Sequence, residues 1–432
     1  MTHPAGQLAI AVADELADPN HMIRDLPEQP WLRQSLWHGM PGVIMLHTEL
    51  AAAEQRPWHR VRTWVDAACG NQITTGPHTN LTHGAPAIGH ALAGVAEVKP
   101  GAYERALLTI DTAVSADARR RVDAAHARMD AGQPATLAEF DVIRGLAGIG
   151  TYLLRREPDG TAVRAVLEYL VRLTDTVTTT RCTVVPGWWT PTGPSGRADN
   201  RYPEGHLNSG VAHGIAGPLA LLAYAARVGV LVDGQRAAIT AITNWLNSWR
   251  TTTAAGVPVW PYWITPAEVG TPARSRPEQR PSWCYGSAGV VSALHAAALV
   301  VADPEAAADA ATVLLQALTD ADHLNATGDD TSLCHGYAGL ALVALRIGTA
   351  TASEPGPQLL AVADALLDRI ATHDASPADT AAALLRRPSG PGLLEGAAGT
   401  ALCCWAAATG TATGWDRSVL TSNPQRKADE RS

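Results

Sequence analysis

Polar and apolar positions follow two alternating patterns along the chain. Stretches at 115–129, 161–177, 236–249, 304–318 and 358–372 carry apolar residues at helical spacing with charges on the remaining face, as helices with one buried side do. Between them lie runs that are apolar nearly all round, each opened by a short frame in which one residue precedes Gly-x-x-Gly. Seven such frames occur: His38-Gly39-Met40-Pro41-Gly42, His83-Gly84-Ala85-Pro86-Ala87, Arg144-Gly145-Leu146-Ala147-Gly148, His213-Gly214-Ile215-Ala216-Gly217, Tyr285-Gly286-Ser287-Ala288-Gly289, His335-Gly336-Tyr337-Ala338-Gly339 and Glu395-Gly396-Ala397-Ala398-Gly399. The second departs from the pattern at Ala87. The copies lie roughly 45 to 70 residues apart, near the periods of helical repeats.

The alternation predicts an all-α fold of seven outer/inner helix pairs, with residues 7–16 as the outer partner of the first copy. Neither the first nor the last frame is specially polar, as the cap of an open array would be. Closure into an α/α toroid is therefore expected. Glycines one turn apart are expected to let inner helices approach closely, and Pro41, Pro86 and Pro218 fall in a first turn, where a missing N–H costs little. All seven inner helices would then open at one end of the ring. Their unsatisfied N–H groups would converge there, with His38, His83, Arg144, His213, Tyr285, His335 and Glu395 facing one cavity.

Three less regular regions complete the reading. Residues 97–113 suggest a small insertion, with Ala106 to Ile110 as a short strand or part of a helix. The Pro-, Gly- and Trp-rich stretches 184–209 and 256–282 each lead into a frame and read as loops roofing the cavity, their tryptophans, such as Trp188 and Trp260, offering surfaces for a long substrate. The toroid domain is expected to span 1–410, with a polar, disordered tail over 411–432.

Composition narrows the function. With 46% hydrophobic and only 17% charged residues the chain can bury a large core, so extended disorder is not expected. The net charge of −8, with no basic stripe interleaved with aromatics, argues against nucleic acid as the main partner. No segment approaches about 20 uninterrupted apolar residues and the first 18 lack a signal-peptide pattern, so a cytoplasmic location is expected. The six cysteines are too few for a disulfide scaffold in a chain this long, and in a reducing compartment paired cysteines more often hold metal than each other.

Two of them, Cys284 and Cys334, occupy the same place in successive frames, and His335 follows the second. Thiolate and imidazole donors suit Zn²⁺, and a catalytic zinc keeps three protein ligands with a fourth position open. The competing reading is that both are small buried apolar residues, but each lies at a repeat end that faces the cavity. Two thiolates lower the metal's Lewis acidity toward water, so thiol activation fits better than hydrolysis. His213 is an imidazole one copy earlier, suited to proton exchange near neutral pH. Asp141 lies just outside a helix start, where Asp is ordinarily a cap. An Asp141/Arg280 pair at the rim would place a fixed charge beside the site. His38, His83 and Glu395 are assigned to helix-start packing, and Cys69, Cys182, Cys403 and Cys404 to core or loop space.

The frames Trp283-Cys284-Tyr285-Gly286 and Cys334-His335-Gly336, together with Ala212-His213-Gly214-Ile215-Ala216-Gly217 and Asp141-Val142-Ile143-Arg144-Gly145-Leu146-Ala147-Gly148, resemble those of the lanthipeptide cyclase (LanC) family. The likeness extends from His38-Gly39 to Leu394-Glu395-Gly396. It implies an α/α toroid binding one Zn²⁺ per chain through Cys284, Cys334 and His335. It implies an enzyme that adds the thiol of a peptide cysteine to a dehydroalanine or dehydrobutyrine of the same dehydrated lanthipeptide precursor, closing (methyl)lanthionine thioether rings. By the same resemblance His213 and Asp141 exchange the proton the enolate needs, supported by Arg280 and Tyr285. The repeats use nearly all of the chain, so the dehydratase is expected to be a separate protein, with an exporter as a further partner at the membrane. Two rivals stand beside this reading. A relative that binds zinc and a peptide or thiol without cyclising it would share the metal frames, whereas a toroid glycosidase would need paired carboxylates and leave the thiols without a role.

Overall fold

In the computed structural model, residues 4–23, 28–179, 181–269, 279–352, 354–371 and 375–421 are described. Seven inner helices, Met40–Ala52, Ala85–Val98, Leu146–Arg156, Ala216–Arg227, Ser287–Val301, Tyr337–Ala350 and Ala397–Thr409, each begin within a frame read from the sequence. They are buried over most of their length, as all-round apolar composition requires. Each packs on the next, and the seventh packs on the first, so the array is a closed α/α toroid.

The outer layer consists of Trp58–Ala68, Glu104–Asp130, Thr161–Arg172, Gln235–Ser248, Pro304–Thr319 and Gly356–Asp368, each against the inner helix that precedes it in the chain. Their one-sided burial follows the periodicity; Thr161–Arg172, for example, buries Ala162, Val163, Val166, Leu167, Tyr169 and Leu170. Start signals are local as well. Asp303 caps the helix that opens at Pro304 by accepting a hydrogen bond from the Ala306 N–H.

The seventh outer position is filled by the N-terminal helix, Pro4–Glu15, which corrects the expectation that it partners the first copy. It packs mainly on the last inner helix, Ala397–Thr409, and on the short helix Pro377–Leu385. Ala5, Leu8, Ala9, Val12 and Ala13 are buried, and Leu8 and Val12 alone contribute about 1.5–3 kcal/mol each by leaving water. The first inner helix already has Trp58–Ala68 on its outer side, so the free apolar face lies at the ring's seam.

A second correction concerns 97–113, which form neither strand nor insertion. Ala106 to Ile110 belong to the 27-residue helix Glu104–Asp130. Leu107, Ile110, Asp111, Val114, Ala118, Val122 and Ala125 recur there at helical spacing and are buried. The third correction moves the domain boundary. Residues 411–421 are folded into the ring, while 422–432 lie outside the described residues. Trp415 is fully buried in a short 3₁₀ turn, Trp415–Val419. The Glu49 carboxylate accepts the N–H groups of Ala412 and Thr413, both at 2.9 Å. Asp416 pairs with Arg346 at 2.6 Å, and Arg155 donates to the Thr413 carbonyl at 2.6 Å. These contacts come from the last turns of inner helices, so the segment floors the ring. Its polar composition reads as solvent-exposed, but here it satisfies buried charges.

Three short antiparallel pairs decorate the mouth: Thr176–Thr178 with Val184–Pro186, Thr251–Thr252 with Pro258–Val259, and Leu207–Asn208 with Trp263–Ile264. The last ties together the two stretches expected to roof the cavity. Trp188 and Trp260 are buried, Trp188 edge-on to Trp245 and Trp260 donating its indole N–H to the Leu246 carbonyl at 2.9 Å. They therefore anchor the roof and do not offer a surface to a substrate.

Candidate functional site

Each inner helix is entered through a tight loop that folds back over its own first turn. In the sixth copy a Cβ on Gly336 would sit 2.2 Å from the Ser332 nitrogen, and one on Gly339 would sit 1.9 Å from the Leu333 carbonyl oxygen. The Gly-x-x-Gly frame thus serves mainly the approach of the loop to its own helix. Contact between neighbouring copies comes second, as where a Cβ on Gly217 would meet Val142 Cγ2 at 2.5 Å.

In four of the seven copies the side chain three positions before the mouth residue closes the loop. Ser282 Oγ accepts the N–H groups of Tyr285 (3.3 Å) and Gly286 (3.0 Å), Ser332 Oγ accepts that of His335 (3.3 Å), and Ser35 Oγ accepts that of His38 (3.2 Å). In the third copy this residue is Asp141, whose Oδ1 accepts the N–H groups of Arg144 (2.6 Å) and Gly145 (2.8 Å). All seven mouth residues are at least partly exposed in otherwise buried frames, and three of them, His38, His335 and Glu395, line one cavity.

The loops are joined into a circlet by backbone hydrogen bonds. Leu36 donates to Thr82 O, Val142 to Ala212 O, Ala212 to Cys284 O, Cys284 to Cys334 O, Cys334 to Leu394 O and Leu394 to Trp37 O, at 2.8–3.2 Å. Six of the seven junctions are thus closed among the described residues. At the remaining one, between the second and third copies, the Arg121 guanidinium donates to the carbonyls of Pro77, Thr79 and Arg144.

This circlet brings Cys284 and Cys334 together across 50 residues of chain. The Cys284 N–H donates to the Cys334 carbonyl at 3.2 Å, and the Cys284 sulfur lies 3.5 Å from Ser282 Oγ. The neighbouring Cys334 thiol holds the Cys284 thiol below its ordinary range, with burial opposing. Cys334 is pushed well above that range by the Cys284 thiol and by burial.

His335 is held by groups that sequence reasoning missed. Asp330 Oδ2 lies 2.6 Å from its Nδ1, and Ser332 Oγ lies 3.1 Å from the same nitrogen. The Asp330 bond raises the imidazole above its ordinary pKa, against burial. Burial pushes the Asp330 carboxyl up, but its hydrogen bonds with His335 and Ser332 outweigh this and hold it below the usual carboxylate range. A carboxylate on Nδ1 leaves Nε2 as the metal-facing atom.

Glu395, which the sequence reading set aside, joins this group. A sulfur of Cys334, a ring nitrogen of His335 and a carboxylate oxygen of Glu395 lie within 4.8 Å of one another. Two thiols, an imidazole oriented by a carboxylate and a nearby carboxylate are donors that fit Zn²⁺. His335 and Glu395 border a cavity of about 560 Å³ that His38, Asp330 and Arg387 also line.

One copy before the thiols, His213 Nδ1 lies 2.6 Å from Asp141 Oδ2. Asp141 is fully buried, so its two oxygens divide two tasks: Oδ1 caps the third inner helix and Oδ2 orients the imidazole. The Tyr285 ring tilts over His213 at a centroid distance of 6.1 Å and packs against Tyr262 and Trp263. Burial raises the Tyr285 phenol above its ordinary value and pushes the Tyr262 phenol up to about 12. The expected Asp141/Arg280 pair does not form. Arg280 lies 3.9 Å from Asp330, its counterpart five residues before the next mouth residue, because adjacent copies bring equivalent positions together.

Comparison with known proteins agrees with this geometry. A family model described as lanthionine synthetase C-like protein matches residues 30–420. The nisin biosynthesis protein NisC of Lactococcus lactis subsp. lactis is 23% identical over 308 residues, covering 70% of this chain and 71% of NisC. A solved structure of nisin cyclase superposes with a TM-score of 0.71 at 19% identity, covering 95% of this chain and 96% of that one.

Proposed function

The chain belongs to the lanthionine synthetase C-like family, and from that premise we propose that it is a zinc-dependent lanthipeptide cyclase. Its substrate would be a dehydrated precursor peptide, whose cysteine thiols add to dehydroalanine or dehydrobutyrine to form (methyl)lanthionine rings. The observation that carries this reading is the pair of cysteines from neighbouring copies, joined by a backbone hydrogen bond, with a carboxylate-oriented imidazole next to the second at the mouth.

Cys284, Cys334 and His335 would hold the metal. Zinc supplies one thing when bound: it lowers the pKa of a coordinated thiol, so that a thiolate is available near neutral pH. The chain's own groups do the rest. Donation of the His213 Nδ1 hydrogen bond to Asp141 fixes the tautomer, leaving Nε2 as the nitrogen that would exchange a proton with the substrate. After C–S bond formation the substrate carries an enolate, and His213 in its protonated form would deliver the proton to Cα. Tyr285, whose phenol burial raises above its ordinary value, lies beside His213 and would donate a hydrogen bond toward the enolate oxygen. Arg280 acts at one remove, its charge 3.9 Å from the Asp330 carboxylate that orients His335.

No described helix is long and apolar enough to cross a membrane. A cytoplasmic enzyme receiving peptide from a separate dehydratase, and passing it to an exporter at the membrane, fits this reading. The test is to incubate the purified protein with zinc and a dehydrated precursor, then with a thiol-alkylating reagent. Cyclisation adds no mass, so the readout is loss of alkylatable thiol. If every cysteine stays alkylatable, the protein is no cyclase for that peptide.

A further inference from the structure

We propose that Arg387 and Glu395 form a clamp for the backbone of the substrate peptide, holding the residues that flank whichever cysteine is reacting. The inference rests on the cyclase reading, which supplies the peptide, but its evidence is a cavity and two side chains which that reading leaves without a task. Both residues line the cavity of about 560 Å³ beside His335, a size within the range of about 300–1,000 Å³ usual for ligand sites.

These two opposite charges border one cavity yet do not pair with each other. Arg387 is held at the wall by a hydrogen bond from Nη1 to the Asp329 carbonyl at 2.9 Å, and its remaining side-chain N–H groups have no partner among the described residues. The Glu395 side chain accepts no hydrogen bond among them, and its one charged neighbour is His335 Nε2 at 3.9 Å, too long for a hydrogen bond. The other carboxylates of the lining are engaged or face water: Asp330 is 2.6 Å from His335 and 3.9 Å from Arg280, and Asp329 is exposed. The cavity thus presents a donor and an acceptor that the fold itself leaves unjoined.

A ligand that brings an acceptor and a donor together completes both, and a peptide backbone does so with its C=O and N–H groups. A carboxylate would satisfy Arg387 but meet Glu395 as a like charge, and an ammonium group would meet Arg387 in the same way. The backbone is also what every cysteine of a precursor shares, so a main-chain clamp serves successive rings where a side-chain pocket would serve one. His38 lines the same cavity, and edge-on to it at 5.8 Å stands Trp31, the one exposed tryptophan among the described residues. Trp31 offers the peptide the apolar surface that Trp188 and Trp260, both buried, do not.

Binding of a peptide that cannot cyclise tests the clamp apart from turnover. The probe is a fluorescein-labelled, end-blocked Gly-Ala-Cys-Ala-Gly, which has a thiol but no dehydro residue. Two companions carry an ester in place of the amide before or after the cysteine, and so lack one N–H. Anisotropy is read on the zinc-loaded protein. With wild type, one of the two esters should bind roughly tenfold more weakly than the amide, the scale of a lost hydrogen bond to a charged group. Glu395→Ala should bind amide and ester alike, at the level of the weaker ester. Arg387→Met should weaken every probe roughly tenfold and keep the preference for amide, and Trp31→Ala should weaken all of them by a common factor. Zinc content and far-UV circular dichroism equal to wild type show that each variant is folded with its metal site intact. The clamp is refuted if wild type binds no probe, if neither ester is weakened, or if Arg387→Met and Glu395→Ala bind the amide as wild type does; unchanged binding by Trp31→Ala removes that residue from the subsite. The thiol-alkylation assay keeps the two failures apart. Wild type that closes rings but fails these comparisons loses only the clamp, whereas wild type that closes none loses the cyclase reading and the clamp with it.

Discussion

Asp141 offers a way to separate a structural role from a chemical one within a single side chain. Its Oδ1 caps the third inner helix through two N–H groups, while Oδ2 orients His213 at 2.6 Å. Asp141→Asn retains a carbonyl oxygen for the cap but offers His213 an amide N–H, which favours the other tautomer, with the proton on Nε2. The substitution removes a charge-assisted hydrogen bond worth about 1.5–3 kcal/mol. Asp141→Ala loses that bond and the cap as well, a further 0.5–2 kcal/mol or so. Urea unfolding should therefore rank wild type above Asn and Asn above Ala. Cyclisation should not follow that ranking. A misoriented acid/base group costs about 10²–10⁴ in rate, so both variants should fall by a similar large factor in the thiol-alkylation assay, with metal content unchanged. Asp141→Asn with near wild-type cyclisation would refute the orienting role and leave Asp141 as a cap alone.

Other perturbations address the metal, the seam of the circlet and the floor. Metal analysis should give about one zinc per wild-type chain and a large loss in Cys284→Ala and Cys334→Ala; unchanged content in either would remove that cysteine from the ligand set. His213→Ala should keep its zinc while losing ring formation, and full activity would contradict a proton-exchange role. Arg121→Met should cost about 2–3 kcal/mol in urea unfolding, since charged donors to three carbonyls are lost at the junction that lacks a backbone bond. Trp415→Ala should cost about 3–5 kcal/mol, the usual range for emptying a buried tryptophan site; a change within about 0.5 kcal/mol would instead match a surface position.

The sequence revealed what repeats and hid what folding juxtaposes. Cys284, Cys334, His335 and His213 could be found because each occupies a fixed place in a periodic frame, and a ring turns equal places into neighbours. Asp330 had no such label, although it stands where Arg280 stands in the preceding copy, and aligning the frames five residues upstream would have exposed the pair. Glu395 was set aside because no candidate ligand adjoins it in sequence, yet folding brings it within 4.8 Å of Cys334 and His335 of the preceding copy. The pairing of Pro4–Glu15 with Ala397–Thr409 was missed for a similar reason, since nearness along the chain suggested the first copy. Trp188 and Trp260 looked like binding surface because tryptophan in a loop can serve packing as well as recognition, and only their burial decides between the two.

The seam between first and last helices also sets a time order for synthesis. The N-terminal helix emerges first, but its partner lies about 380 residues downstream, which at 5–20 residues per second takes about 20–80 s to appear. Through that interval Leu8 and Val12 lack their native partner, and the floor segment that satisfies Glu49 does not yet exist. Cys284 and Cys334 are both made before the seventh copy, whose Leu394 carbonyl receives the Cys334 N–H. The two thiols thus exist for a while on an unclosed chain, and the seventh inner helix, translated after them, completes the ring around them.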